Sequence, residues 1–108
     1  MDNKKELIAA YKNREQIGGI FAIKNNRTGK WYVDKTPDIA SAKNRFGFMG
    51  SSFMKIANDF KAQKGEGFIF ETLEELKKAD GQTAKEFSDD LAILHSLWIE
   101  KLDGQDLY

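Results

Sequence analysis

Few residue types in this chain could act on a substrate, and each has a plainer structural use beside it. The single histidine, His95, could bind Zn²⁺ or Ni²⁺ or carry a proton. It also lies at the edge of a helical stripe made by Leu91, Trp98 and Leu102, where a half-buried, hydrogen-bonded imidazole would serve structure alone. Tyr32 sits in an aromatic and β-branched run, so its hydroxyl is either a functional group or the wet end of a strand aromatic. Lys24, Arg27, Lys30, Lys35, Lys43 and Arg45 crowd into the stretch 24–45. They read as a solvated surface or as a phosphate-contacting patch, with Lys30, Lys35, Lys43 and Arg45 the candidate nucleic-acid-binding residues. Trp31 and Trp98 are packing residues unless an exposed Trp31 stacks a base. With no cysteine, disulfides, thiolate zinc sites and cysteine nucleophiles are excluded.

The frame around these residues is small. A chain of 108 residues suits one core, and 41% hydrophobic with 31% charged residues is ordinary for a water-soluble globule, so residues 1–108 are expected to form a single domain. Seventeen basic residues balance seventeen acidic ones, which removes any global positive field and leaves nucleic-acid binding to a local patch. No apolar run approaches the roughly 18 residues that cross a bilayer, and no signal-type block follows the first residues, which implies a cytoplasmic protein with no membrane partner.

The elements that must position the candidates can be read in order. Asn3 to Arg14 has helical spacing with Asn3 as N-cap. Gly18-Gly19-Ile20-Phe21-Ala22-Ile23 is apolar on both alternating faces, as a strand covered on both sides should be. A polar turn, Asn25 to Lys30, leads to Trp31-Tyr32-Val33, completing a hairpin. Thr36-Pro37-Asp38 reads as a helix start, with Thr36 as N-cap and Pro37 as the first helical residue, before an inward stripe of Ile39, Ala42, Phe46 and Met49. Ser51 or Ser52 can cap a further helix with Phe53, Ile56 and Phe60 inward, and Phe68 to Leu73 is a third strand. Glu74 to Gln82 reads as a polar connection or a single helical turn. Thr83 and Glu86 form a capping box at the head of the longest helix, whose stripe is Phe87, Leu91, Leu94, Trp98 and Leu102. The predicted architecture is an α/β (strictly α+β) domain with a small three-stranded, mainly antiparallel sheet flanked by helices.

Gly19-Ile20-Phe21 in one strand, Asn26, Gly29 and Lys30 in the turn, Tyr32-Val33-Asp34 in the next strand and Asp38-Ile39 at a helix start together resemble the GIY-YIG nuclease family. The resemblance extends to Phe68–Glu75 and to the Leu91, His95, Trp98, Ile99 series, so it covers residues 17–102. It implies a domain that cuts phosphodiesters with two tyrosines, an arginine and a metal-binding glutamate. Carried over position by position, these fall on Phe21, Tyr32, Ala42 and His95. Phe21 has no hydroxyl, Ala42 has no charge, and a lone histidine is a poor ligand for Mg²⁺. Asp34 replaces a glycine and puts a carboxylate where a phosphate would approach, and Phe46 stands where the family often has a polar residue.

The resemblance therefore implies a catalytically degenerate domain, a pseudoenzyme that acts as a binding or interaction module, possible for DNA through its local basic patch, with no cofactor and no bound metal. Two alternatives stand beside it. One is an active, Mg²⁺-dependent endonuclease using displaced residues: Tyr32 as base, Arg45 for phosphate and Glu71 or Glu100 for metal. The other is a protein-interaction domain with no nucleic-acid contact. If the family fold is present, Phe21, Tyr32, Ala42 and His95 should line one region, with Ile39, Ala42 and Phe46 mostly buried.

Overall fold

The computed structural model describes residues 16–108, so the helix read over Asn3–Arg14 lies outside the described residues. Three antiparallel strands, β1 (Ile17–Asn25), β2 (Trp31–Thr36) and β3 (Phe68–Lys77), form one sheet in the order β2-β1-β3. Three helices flank it: α1 (Ile39–Met49), α2 (Ala57–Ala62) and α3 (Ala84–Lys101). The fold is α+β, as the apolar periodicities predict.

β1 is the central strand because it is apolar on both faces, and its alternation sends two sets of side chains to opposite sides. Phe21 and Ile23 point toward α1 and α2, where Ala42, Phe53, Ile56 and Phe68 complete a largely aromatic core. Ile20 and Ala22 point the other way and join Val33 beneath Leu94, Trp98 and Leu102 of α3. The sheet thus separates an aromatic half-core from an aliphatic one.

Local chemistry sets most boundaries. In the hairpin, the Asn25 amide donates to the Lys30 carbonyl and Gly29 takes the left-handed conformation that a β-carbon would strain. The capping box of α3 forms as expected, with Thr83 Oγ1 accepting from the Glu86 amide and the Glu86 carboxylate accepting from the Thr83 amide.

Other boundaries differ from expectation. The N-cap of α1 is Asp38, whose carboxylate accepts from both the amide and the hydroxyl of Ser41, while Thr36 ends β2 and Pro37 precedes the cap. An ionised carboxylate is a stronger acceptor for helix amides than a hydroxyl, and it wins the position. Within the α1 stripe Ala42 is buried and Ile39 and Phe46 are half-buried against the core; the side chain of Met49 lies outside the described residues. The helix expected after Ser52 is broken into a 3₁₀ turn (Met54–Ile56) and then α2, because Phe53 adopts an extended backbone that places its ring against Phe21. β3 runs on to Lys77 through the segment read as a connection. Edge position explains the polarity there: one side of the strand faces water, and a bulge opposite Ile20–Phe21 shifts its register.

The chain after α3 returns to the outer edge of β2, a feature without a sequence signal. Trp31 donates its amide to the Asp106 carbonyl and accepts from the Tyr108 amide. The buried Asn25 side chain ties this tail down, donating to Tyr108 Oη at 2.8 Å and to Gln63 Oε1 at 2.7 Å, while Tyr108 Oη donates to Asp59. A buried amide with all its partners made is how such a group avoids a desolvation penalty.

Candidate functional site

The side of the sheet that faces α1 carries an open cavity of about 270 Å³. Phe21, Ala42 and Phe53 floor it, and Asp34, Lys35, Ser41 and Arg45 rim it. Pairing in the hairpin explains the floor: Asp34 lies directly opposite Phe21, so both side chains project to the same face, as does Tyr32 opposite Ile23. Tyr32, Phe21 and Phe53 pack as a ring cluster with centroids 6.0–6.1 Å apart, and Phe21 stacks on Phe70 at 5.1 Å. The Arg45 guanidinium lies 3.9 Å above the Phe53 ring, a cation-π geometry that fixes its charge at the mouth of the cavity.

Tyr32 Oη donates to Asp34 Oδ2 at 2.6 Å, and Asp34 Oδ1 accepts from the Lys35 amide at 2.8 Å. The carboxylate that replaces the glycine expected from the resemblance is therefore a clamp on the neighbouring tyrosine and on the strand edge. Burial first, then the bond to Asp34 and its negative charge, raise the Tyr32 phenol well above its ordinary value, and Arg45 offsets only part of this. A phenol so held is a poor general base, because its proton is already committed.

Of the four positions implied by the resemblance, Phe21, Tyr32 and Ala42 meet here; His95 does not. It belongs to α3, which covers the Ile20–Ala22 side, and its Nε2 donates to the Val33 carbonyl at 3.1 Å, which places the ring proton on Nε2. Its task is to satisfy a carbonyl on the outer edge of β2, a group that would otherwise be free to pair with another strand. The expectation that all four positions line one region is thus corrected, and the family resemblance, which required it, is not supported. The displaced metal ligands of the nuclease alternative fail for the same reason. Glu71 pairs with Ala22 in the sheet, faces the α3 side and bridges to Lys24, while Glu100 is exposed on α3. Among the described residues no three His, Cys, Asp or Glu side chains are grouped to hold a metal.

The basic patch is also redistributed. Arg45 stands at the cavity rim; Lys35 also borders it, but its place opposite Ile20 turns its side chain toward the α3 side of the sheet. Lys30 lies at the far end of β2 over the Tyr108 ring, and Lys43, two residues before Arg45, lies on the opposite side of α1 at about 100° per residue. Lys24 and Arg27 are engaged by Glu71 and Glu66.

What the sequence reading missed is a separation of charge. Residues 39–65, which form the helical layer on the cavity side, contain five basic residues and one acidic one. Residues 84–106, forming α3 and the tail behind it, contain six acidic and two basic. Zero net charge conceals two oppositely charged layers, and a count by segment would have found them. Two apolar side chains also stand in water within the basic layer: Phe48 is 89% exposed and Met54 88%.

No protein-family model, characterised protein or solved structure matches this chain.

The Tyr32–Asp34 bond makes a testable signature. The folded state holds the Tyr32 proton more tightly than the unfolded chain does. The stability linked to it is therefore fully present below the unfolded value, about pH 10, and is lost as pH rises from there toward the higher folded value. Tyr108 is raised as well, by burial first, so the measurement must be differential. Alkaline absorbance titration of the protein and of Tyr32→Phe should differ by one tyrosinate that appears only with cooperative unfolding. A tyrosinate that forms reversibly near pH 10 in the folded protein would show that the bond is not held in solution.

Proposed function

We propose that this domain is a non-catalytic binding module for nucleic acid, DNA in particular, and that the partner docks on the layer formed by α1, α2 and the turns between them. The observation that carries this reading is the concentration of five basic residues against one acid in that layer, with an equal and opposite excess across the sheet. Such a distribution orients a polyanion toward one face and repels it from the other. Arg45, held over the Phe53 ring at the cavity mouth, marks the point where a phosphate would come closest. The committed phenol of Tyr32 and the placement of His95 on the other face support binding without bond cleavage.

Binding should be governed by salt. A plot of log affinity against log salt concentration for duplex DNA should be linear and negative, and Lys55→Glu with Lys61→Glu should flatten its slope by about 2 while lowering affinity at low salt. Lys85→Glu, in the acidic layer, should change neither quantity. Absence of DNA binding at low salt, or equal effects of the Lys85 and Lys55/Lys61 changes, would overturn the reading in favour of a protein-interaction domain.

A further inference from the structure

We infer that the basic layer is built for unpaired nucleotides, with one base stacked on Phe48 and the adjoining phosphate held by Arg45. The inference rests on the nucleic-acid reading above and goes beyond it by naming the kind of strand.

Ser41, Arg45 and Phe48 stand at i, i+4 and i+7 of α1, so they follow one another along a single face. Ser41 and Arg45 line the cavity with Lys35; Phe48 continues the same line one turn beyond it. Side chains three apart on a helix have β-carbons about 5–6 Å apart, so a group bound at Arg45 has the Phe48 ring as its neighbour. Phe48 is 89% exposed, and no ring in the described structure covers it, whereas Phe46, two residues earlier, packs against Phe60 and Phe70. Met54 repeats the pattern, 88% exposed immediately after the buried Phe53 on which Arg45 lies.

A fully wet phenyl ring inside a cationic surface can gain from a partner that offers both negative charge and a flat apolar face. A duplex offers the charge but keeps its base faces stacked on one another. A single strand offers both, and stacking on an aromatic ring tolerates any base because every base has a π-face. Anionic lipid also meets the charge requirement, but Phe48 follows on α1 from a concavity of about 270 Å³ that carries Arg45 at its mouth. A concave polar site suits a discrete phosphate group more than a lipid plane.

The test uses fluorescence anisotropy with a mixed-sequence single strand and a duplex of equal length, and vesicles of phosphatidylserine in phosphatidylcholine as a third probe, all with the whole chain at one salt concentration. The single strand should bind more tightly than the duplex. Phe48→Ala should weaken single-strand binding by about five- to a hundredfold and leave duplex binding within about twofold, while Phe48→Trp should retain or strengthen the single-strand complex. Because Phe48 is exposed, these variants should melt with the parent protein, which a thermal scan checks. Equal affinity for both DNA forms with no effect of Phe48→Ala would overturn this inference but leave the salt-governed reading standing. Vesicle binding that depends on Phe48 and is not displaced by the single strand would overturn it in favour of a membrane surface. Failure of both DNA forms to bind at low salt would overturn the nucleic-acid reading itself.

Discussion

Gly19→Ala should destabilise the domain by about 3–5 kcal/mol, enough to lower or abolish cooperative folding in a protein of this size. A β-carbon at Gly19 would lie 2.0 Å from the Glu74 carbonyl oxygen and 3.0 Å from the Glu75 α-carbon. Both obstacles are backbone, so no rotamer change can relieve them. The crowding has a visible source: the bulge in β3 opposite Ile20–Phe21 pushes that strand toward β1 where Gly19 faces Glu75. Glycine at this position is therefore explained by strand approach together with a positive φ of 156° that side-chain-bearing residues rarely adopt. Urea denaturation with circular dichroism should show the midpoint falling; a loss below about 1 kcal/mol would mean the bulge is not formed as described.

Phe53→Ala should cost about 3–5 kcal/mol, the range for emptying a large aromatic site in a close-packed core. Phe53 is 2% exposed and touches Phe21 and Tyr32 at ring distance, so its removal leaves a void that the aromatic cluster can close only by tilting. The same ring carries Arg45, and that links packing to the candidate site. Arg45→Ala should cost no more than about 1–2 kcal/mol in stability, yet it should weaken nucleic-acid binding as much as Phe53→Ala does in whatever fraction remains folded. Denaturation curves and low-salt affinities of the two variants separate the effects. Equal stability losses would show that Arg45, rather than the ring beneath it, holds the layer in place.

Local signals carried much of the fold. The capping box at Thr83 and Glu86 involves residues three apart, and the two-sided apolar run of β1 marks a central strand without help from any partner. The extension of β3 to Lys77 was not legible, because the bulge breaks the alternation that a half-exposed strand otherwise shows and leaves Leu73 and Leu76 three apart with Glu74 and Glu75 between them. The break before α2 was hidden as well: Phe53, Ile56 and Phe60 have helical spacing, but the ring of Phe53 reaches the core only when its backbone extends.

By itself the sequence determined the order of elements within residues 16–108, the two apolar faces of β1, and the absence of a hydroxyl at Phe21 and of a charge at Ala42, since each is a property of residue type or of neighbours a few positions apart. Only the tertiary structure decided which helix covers which face. Strand alternation divides side chains into two sets without saying what packs on either, and the chain path put α3 on the side away from Phe21 and Tyr32. That choice made His95 a partner for the Val33 carbonyl and moved Glu71 and Glu100 out of reach of the cavity. It also turned a chain of zero net charge into a domain with one basic and one acidic layer, because charges that cancel in a sum lie on opposite sides of the sheet.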